Sequence, residues 1–275
     1  MPQAARREAI ATPWTAQEAA GLAAPPSQRE EPVFYTHTLC PYAERVWIAL
    51  LEKQVPFQLI HIDLSRKPTW YRSLNPRGLV PAVQLGGMVH TESADICRWL
   101  DGAFPMGPQL VPGDAALRRE MEDLVRGPCS GTVSAGLDLM AGCTGRHWGI
   151  GSGQTAAQKA ALQAELDQLA AALRRHGGPF LLGAQPTLPD VLVYPFLYRY
   201  DVGMRGLAGH DLGAAGGGAI RGWLDAMAAR PSCAASSADP QLLLAAFRKH
   251  MELDFFDYTT YPCFKLHPHN AYLLQ

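Results

Sequence analysis

The sequence predicts a small α/β domain followed by a larger all-helical one, and three observations carry that prediction. Between residues 32 and 105 the hydrophobic patterns alternate in the order β-α-β-α-β-β-α. From 114 to 253 apolar residues recur at helical spacing, with no convincing strand. Between the two, residues 106–113 are rich in proline and glycine and read as a linker. At 275 residues the chain can bury a sizeable core without disulfides or metals to hold it.

Each element has its own signal. Val33, Phe34 and Tyr35 form a short apolar strand. After Cys40 and Pro41, the residues Tyr42, Ala43, Val46, Trp47, Leu50 and Leu51 mark one helix face. Pro41 suits a first turn, where its missing N–H costs nothing. The β-branched and aromatic run 57–62 is a second strand. A helical turn over 68–74 stops at Asn75-Pro76. Residues 79–85 and 88–90 flank Gly86-Gly87, a two-residue hairpin signal. Thr91-Glu92-Ser93 then opens a helix with Ile96, Trp99, Leu100 and Phe104 on its apolar face.

In the second domain the spacing predicts helices over 117–125, 155–176, 187–200, 219–229 and 240–253. Thr187 and Asp190 stand as N-cap and N3 of a capping box, with Pro186 and Val191 placed as a staple. Glycines argue against a long continuous helix over 127–153, and 213–218 reads as a flexible loop. Residues 1–31 read as a disordered extension. Residues 254–275 crowd Phe255, Phe256, Tyr258, Tyr261, Phe264 and Tyr272 together. That extension is too apolar to hang free and is expected to pack on the body or on a partner.

Composition excludes several classes. Lys plus Arg is 24 and Asp plus Glu is 25, so no basic excess speaks for nucleic acid as a partner. No run reaches 18 apolar residues, so no transmembrane segment is expected. The six cysteines show no CxxC spacing and no framework, which suits reduced thiols in the cytoplasm better than a secreted scaffold. A chloroplast or other organelle stays open should 1–31 act as a targeting segment, although Glu8, Glu18, Glu30 and Glu31 argue against that. His250, His267 and His269 lack a second ligand cluster, so no metal is expected.

Cys40 is the most informative residue. It stands between a strand and a helix, where free N–H groups and the helix dipole favour a thiolate. An unperturbed thiol is only roughly 7% ionised at pH 7.4, and a pKa lowered to about 5 would ionise nearly all of it. A cysteine can equally be a small buried hydrophobe, and the junction with Pro41 tips the reading toward reactivity. Position 43 is Ala, so the motif holds no resolving cysteine. Val80-Pro81 enters a strand about 40 residues later. Were that bond cis, the backbone N–H and C=O of Val80 would face outward to pair with a peptide; a trans proline at a strand start is the plainer alternative. Glu92 and Ser93 open a helix, where Ser93 could hold a carboxylate and Glu92 an ammonium, or both could simply begin the helix. Together the three describe one ligand with a thiol, a peptide backbone and an amino-acid head, and glutathione matches.

The strings Cys40-Pro41-Tyr42-Ala43-Glu44-Arg45-Val46-Trp47, Lys67-Pro68-Thr69-Trp70-Tyr71 and Asn75-Pro76-Arg77-Gly78-Leu79-Val80-Pro81, with Glu92-Ser93, resemble the cysteine-type glutathione transferases of the omega and lambda classes. Tyr42 stands where those classes carry Phe. The resemblance implies a thioredoxin-like N-terminal domain and an all-α C-terminal domain. It implies Cys40 as nucleophile, with Lys67, Val80, Pro81, Glu92 and Ser93 holding glutathione as co-substrate and Lys67 facing the glycyl carboxylate. A cis Pro81 is a further implication, and a homodimer is one assembly it allows. Its chemistry is glutathione-dependent thiol transfer through a mixed disulfide, with dehydroascorbate or S-glutathionyl ketones among the substrates. The second substrate is then a small disulfide or electrophile, in an acceptor site that Trp148, Tyr194 and Tyr198 could line. A conjugating or ligand-carrying transferase and a non-enzymatic chloride-channel-like module stay open as alternatives.

Overall fold

The computed structural model describes residues 31–62, 64, 67–144 and 156–252, with the backbone alone for 141–144 and 248–252. The expectations for residues 1–30, Trp148 and the tail 254–275 lie outside the described residues. The chain divides into two compact units between Gly107 and Pro108.

The first unit is built on a four-stranded sheet of order β2-β1-β3-β4. Its strands are β1 (Val33–Thr36), β2 (Gln58–His61), β3 (Ala82–Leu85) and β4 (Met88–His90). β1 pairs parallel with β2 and antiparallel with β3, in the register Phe34–Leu59 and Phe34–Val83. Every residue of β1 is buried, which explains an unbroken apolar strand rather than an alternating one. Phe34 meets Trp47 and Phe57, while Tyr35 on the opposite face meets Trp70 and Tyr71.

Three helices accompany the sheet: α1 (Pro41–Glu52), α2 (Thr69–Leu74) and α3 (Ser93–Ala103). α1 buries Val46, Trp47, Ile48 and Leu50; α3 buries Ile96, Cys97 and Leu100. Beyond the last turn of α1, Lys53 is 1% exposed and its ammonium pairs with Asp101 of α3 at 2.9 Å. Gly86 and Gly87 have φ of +56° and +82°, the backbone a two-residue hairpin requires. β3 starts at Ala82 rather than Leu79, because the peptide leading to Pro81 lies outside the ladder.

The second unit is helical. Its helices are α4 (Ala115–Leu124), α5 (Ser130–Thr144), α6 (Ala156–His176), α7 (Leu188–Ala208), α8 (Ala219–Ala228), α9 (Pro231–Ser236) and α10 (Pro240–Glu252). α7 is buried along almost its whole length and forms the centre of this unit. At its start the Asp190 carboxylate accepts the Thr187 N–H at 2.9 Å and the Thr187 hydroxyl at 3.0 Å. Among the described residues no helix is long and apolar enough to cross a membrane.

One expectation is sharpened and one corrected. The glycine-bearing stretch after 127 opens in a π-helical turn over Val125–Cys129, with Gly127 off helical geometry, and is helical as α5 over 130–144, while 145–155 lie outside the described residues. Its glycines are packing contacts: a Cβ on Gly136 would lie 2.1 Å from the Tyr200 ring, and one on Gly131 would lie 2.4 Å from the Glu165 carboxylate carbon. The run 213–218 is a set of 3₁₀ turns over Leu212–Gly218, not a loose loop. A Cβ on Gly216 would lie 2.3 Å from the Ala170 Cβ of α6.

Candidate active site

Cys40 is the N-cap of α1, with extended backbone angles (φ −81°, ψ 113°). The turn before it is closed by His37, whose carbonyl accepts the Cys40 N–H at 2.9 Å and whose Nδ1 accepts the Leu39 N–H at 3.2 Å. Pro41 follows at the first helical position. This junction leaves the thiol half-exposed, with Sγ 3.8 Å from the Val80 carbonyl oxygen. Cys97, Cys129 and Cys233 are buried. Burial pushes the Cys97 thiol up to about 12, and it donates to the Arg45 carbonyl at 3.5 Å, so it is inert packing.

The Val80–Pro81 peptide is cis. The segment is held from behind by the Leu79 carbonyl, which accepts the Tyr71 hydroxyl at 2.6 Å and the Asn75 amide at 2.8 Å. Both donors are buried, and burial, aided by the neighbouring Cys40, raises the Tyr71 phenol above its ordinary value, so it stays protonated as a donor. Gly78 carries φ +62°, and a Cβ there would meet the Lys67 stem at 3.3 Å, which sets Lys67 beside the turn.

At the other end, Glu92 adopts φ +64°, rare for a side chain with a Cβ, and it pairs with the Arg77 guanidinium. Ser93 is 6% exposed and its Oγ accepts from Arg45 Nη1 at 3.2 Å. All six residues singled out from the sequence for this domain, Cys40, Lys67, Val80, Pro81, Glu92 and Ser93, line one cleft of about 420 Å³. It offers a thiol, a backbone carbonyl, cations at Lys67 and Arg77, and an anion at Glu92.

Family models match both units: "Glutathione S-transferase, N-terminal domain" over residues 39–103 and "Glutathione S-transferase, C-terminal domain" over 152–234. The chain is 30% identical over 219 residues to Glutathione S-transferase L3 of Arabidopsis thaliana, spanning 78% of this chain and 86% of that one. The chain belongs to the glutathione transferase family. Omega transferase 3C of Trametes versicolor superposes with a TM-score of 0.65 at 26% identity, over 82% of this chain and 95% of that one. The trimeric transferase TDR1 of Leishmania superposes at 0.70 and 27% identity over 81% of this chain, which spans about half (48%) of its length. The transferase is omega/lambda-like, with a thioredoxin-like first unit and a helical second unit.

As a family member it is an enzyme of the glutathione transferase type and uses glutathione as co-substrate. Sequence reasoning missed Asn75, Arg77 and Tyr42 as cleft-lining residues, and Arg45 behind them. The signal was available for Arg45, which stands three residues after Tyr42 on the same helix face. In the second unit, Tyr194 is 1% exposed, stacked on Tyr198 and edge-on to Trp223, so its ring is core rather than ligand surface. Tyr198 is half-buried, and its hydroxyl donates to the Ala238 carbonyl at 2.9 Å.

Proposed function

We propose that this transferase is a glutathione-dependent thiol transferase and reductase with Cys40 as its nucleophile. The observation that supports this most is the Cys40 sulfur: it stands at the start of α1 inside the cleft, and it is the one cysteine among the described cleft-lining residues. The Cys40 thiolate attacks the glutathionyl sulfur of a mixed disulfide, forming the Cys40–glutathione disulfide and releasing the substrate as a thiolate. A second glutathione thiolate then attacks the glutathionyl sulfur, releasing glutathione disulfide and regenerating Cys40. Two electrons pass from glutathione to the substrate. With no partner cysteine in the motif, an external thiol must complete the cycle.

In this reading Lys67 pairs with the glycyl carboxylate, and the Val80 backbone beside Pro81 pairs with the peptide. Glu92 takes the γ-glutamyl ammonium and Ser93 its carboxylate. The substrates are glutathionylated protein or small-molecule thiols, dehydroascorbate and S-glutathionyl ketones. Free thiols at the described cysteines accord with a reducing compartment such as the cytoplasm.

The test is the pH dependence of iodoacetamide alkylation in the native protein and in Cys40→Ser, alongside reduction of a glutathione mixed disulfide and of dehydroascorbate. The expected result is one thiol titrating well below pH 7, lost together with reductase activity in Cys40→Ser. A thiol titrating near the ordinary value of about 8.5, or activity retained in the variant, would overturn the reading.

A further inference from the structure

Ser93 is the first residue of α3 and lines the cleft. A serine hydroxyl has one hydrogen to give and two lone pairs to offer. Arg45 donates into one of those lone pairs at 3.2 Å, so the hydroxyl hydrogen must be directed away from the guanidinium, toward another acceptor. A cation donating to a hydroxyl oxygen also makes that hydroxyl a stronger donor. Arg45 is itself held in place. Its guanidinium lies over the Tyr42 ring, 5.0 Å from the centroid, and its carbonyl accepts the Cys97 thiol of α3. The N-terminal end of α3 adds its own preference for negative charge at this spot.

We propose that Arg45 is a positioning residue that turns Ser93 into the donor for a ligand carboxylate. The pair thereby selects peptides whose amino-acid head keeps that carboxylate. This rests on glutathione being the ligand of the cleft. The zwitterionic head is then read by adjacent residues of opposite character: Glu92 accepts from the ammonium, and Arg45 through Ser93 donates to the carboxylate.

The experiment compares KM for glutathione and for 4-aminobutyryl-cysteinyl-glycine, the same peptide without the γ-glutamyl carboxylate, in mixed-disulfide reduction by the full chain. The native protein is expected to favour glutathione by about tenfold or more, the scale of a hydrogen bond to a charged group. Arg45→Met and Ser93→Ala should each abolish that preference by raising KM for glutathione toward the value for the truncated peptide. Arg45→Lys, which keeps a cationic donor, should recover part of it. Equal loss for both peptides in Arg45→Met, or an intact preference, overturns the role of Arg45 while the glutathione reading stands. No preference in the native protein also overturns the proposal, since the carboxylate is then not read in this cleft. Inactivity of both peptides as co-substrates would instead sink the glutathione reading itself. Should Arg45→Met fail to fold, Arg45→Gln decides the matter: a full preference without the charge overturns the proposal.

Discussion

Asp190 is the residue whose removal the helical unit should tolerate least. It is 0% exposed, and four donors converge on its two oxygens. Oδ1 accepts the Leu181 N–H at 2.9 Å and the Trp223 indole N–H at 2.8 Å; Oδ2 accepts the Thr187 N–H and hydroxyl. Burial pushes the carboxyl up, and the four hydrogen bonds pull against that shift. Asp190→Ala strands three N–H donors that cannot turn elsewhere, each costing about 1–3 kcal/mol when buried without a partner. A loss of at least about 3 kcal/mol follows, a large share of the roughly 5–15 kcal/mol that holds a typical fold together. Asp190→Asn keeps one oxygen and sets an NH₂ against the other pair of donors, so about half that loss is expected. Urea unfolding followed by far-UV dichroism and by Trp fluorescence measures both variants. A loss below about 1 kcal/mol in Asp190→Ala would show that water satisfies the stranded donors, and the reasoning would fail.

Two further outcomes follow from named contacts. Tyr71→Phe leaves the Leu79 carbonyl with Asn75 and should raise KM for glutathione by no more than about threefold, whereas adding Asn75→Ala removes both donors and should raise it tenfold or more, beyond the product of the single effects. Multiplicative single effects would count against the shared acceptor. Asp211 is held below its ordinary value by its hydrogen bond from Arg221, with the Gly213 N–H and Arg205 assisting against slight burial. A depressed carboxyl contributes stability above its unfolded pKa of about 3.9 and loses it as pH falls through the lower folded value. Asp211→Asn, whose Oδ1 can still accept the Gly213 N–H, should therefore be slightly less stable than the native protein at neutral pH and equal to it in strong acid. The gap stays small because Asp211 is 54% exposed, and a gap independent of pH would refute the charge argument.

Much of the first unit was legible because its local signals agree with one another. Pro41 at the first turn, the Gly86-Gly87 hairpin and the apolar face of α1 each name the element that forms. The cleft was legible for a related reason: Cys40, Val80, Glu92 and Ser93 all sit at element boundaries, where backbone groups lack partners. The helical unit was harder to read. α5 and the end of α7 carry glycines that local propensity counts against a helix, but those glycines admit Tyr200 to α5 and Met140 to α7. The 3₁₀ turns over Leu212–Gly218 read as loose for the same reason, although Arg221 bridges Asp201 and Asp211 beside them. Arg45 escaped notice because a helical arginine is usually a solvated charge, and only the neighbouring start of α3 makes it otherwise.

Arg45 and Ser93 each stand eight residues before Lys53 and Asp101 in their own stretches of chain, and both pairs are bonded. Eight residues of helix rise about 12 Å, so α1 and α3 are braced side by side at two matched heights. Helices braced in that way neither slide nor splay. The interval between their starts, where Cys40 and Ser93 sit, is therefore inherited from a truss rather than from a loop that could adjust. Buried charges at the far ends of the two helices thus help to hold the spacing of two cleft residues about 12 Å away.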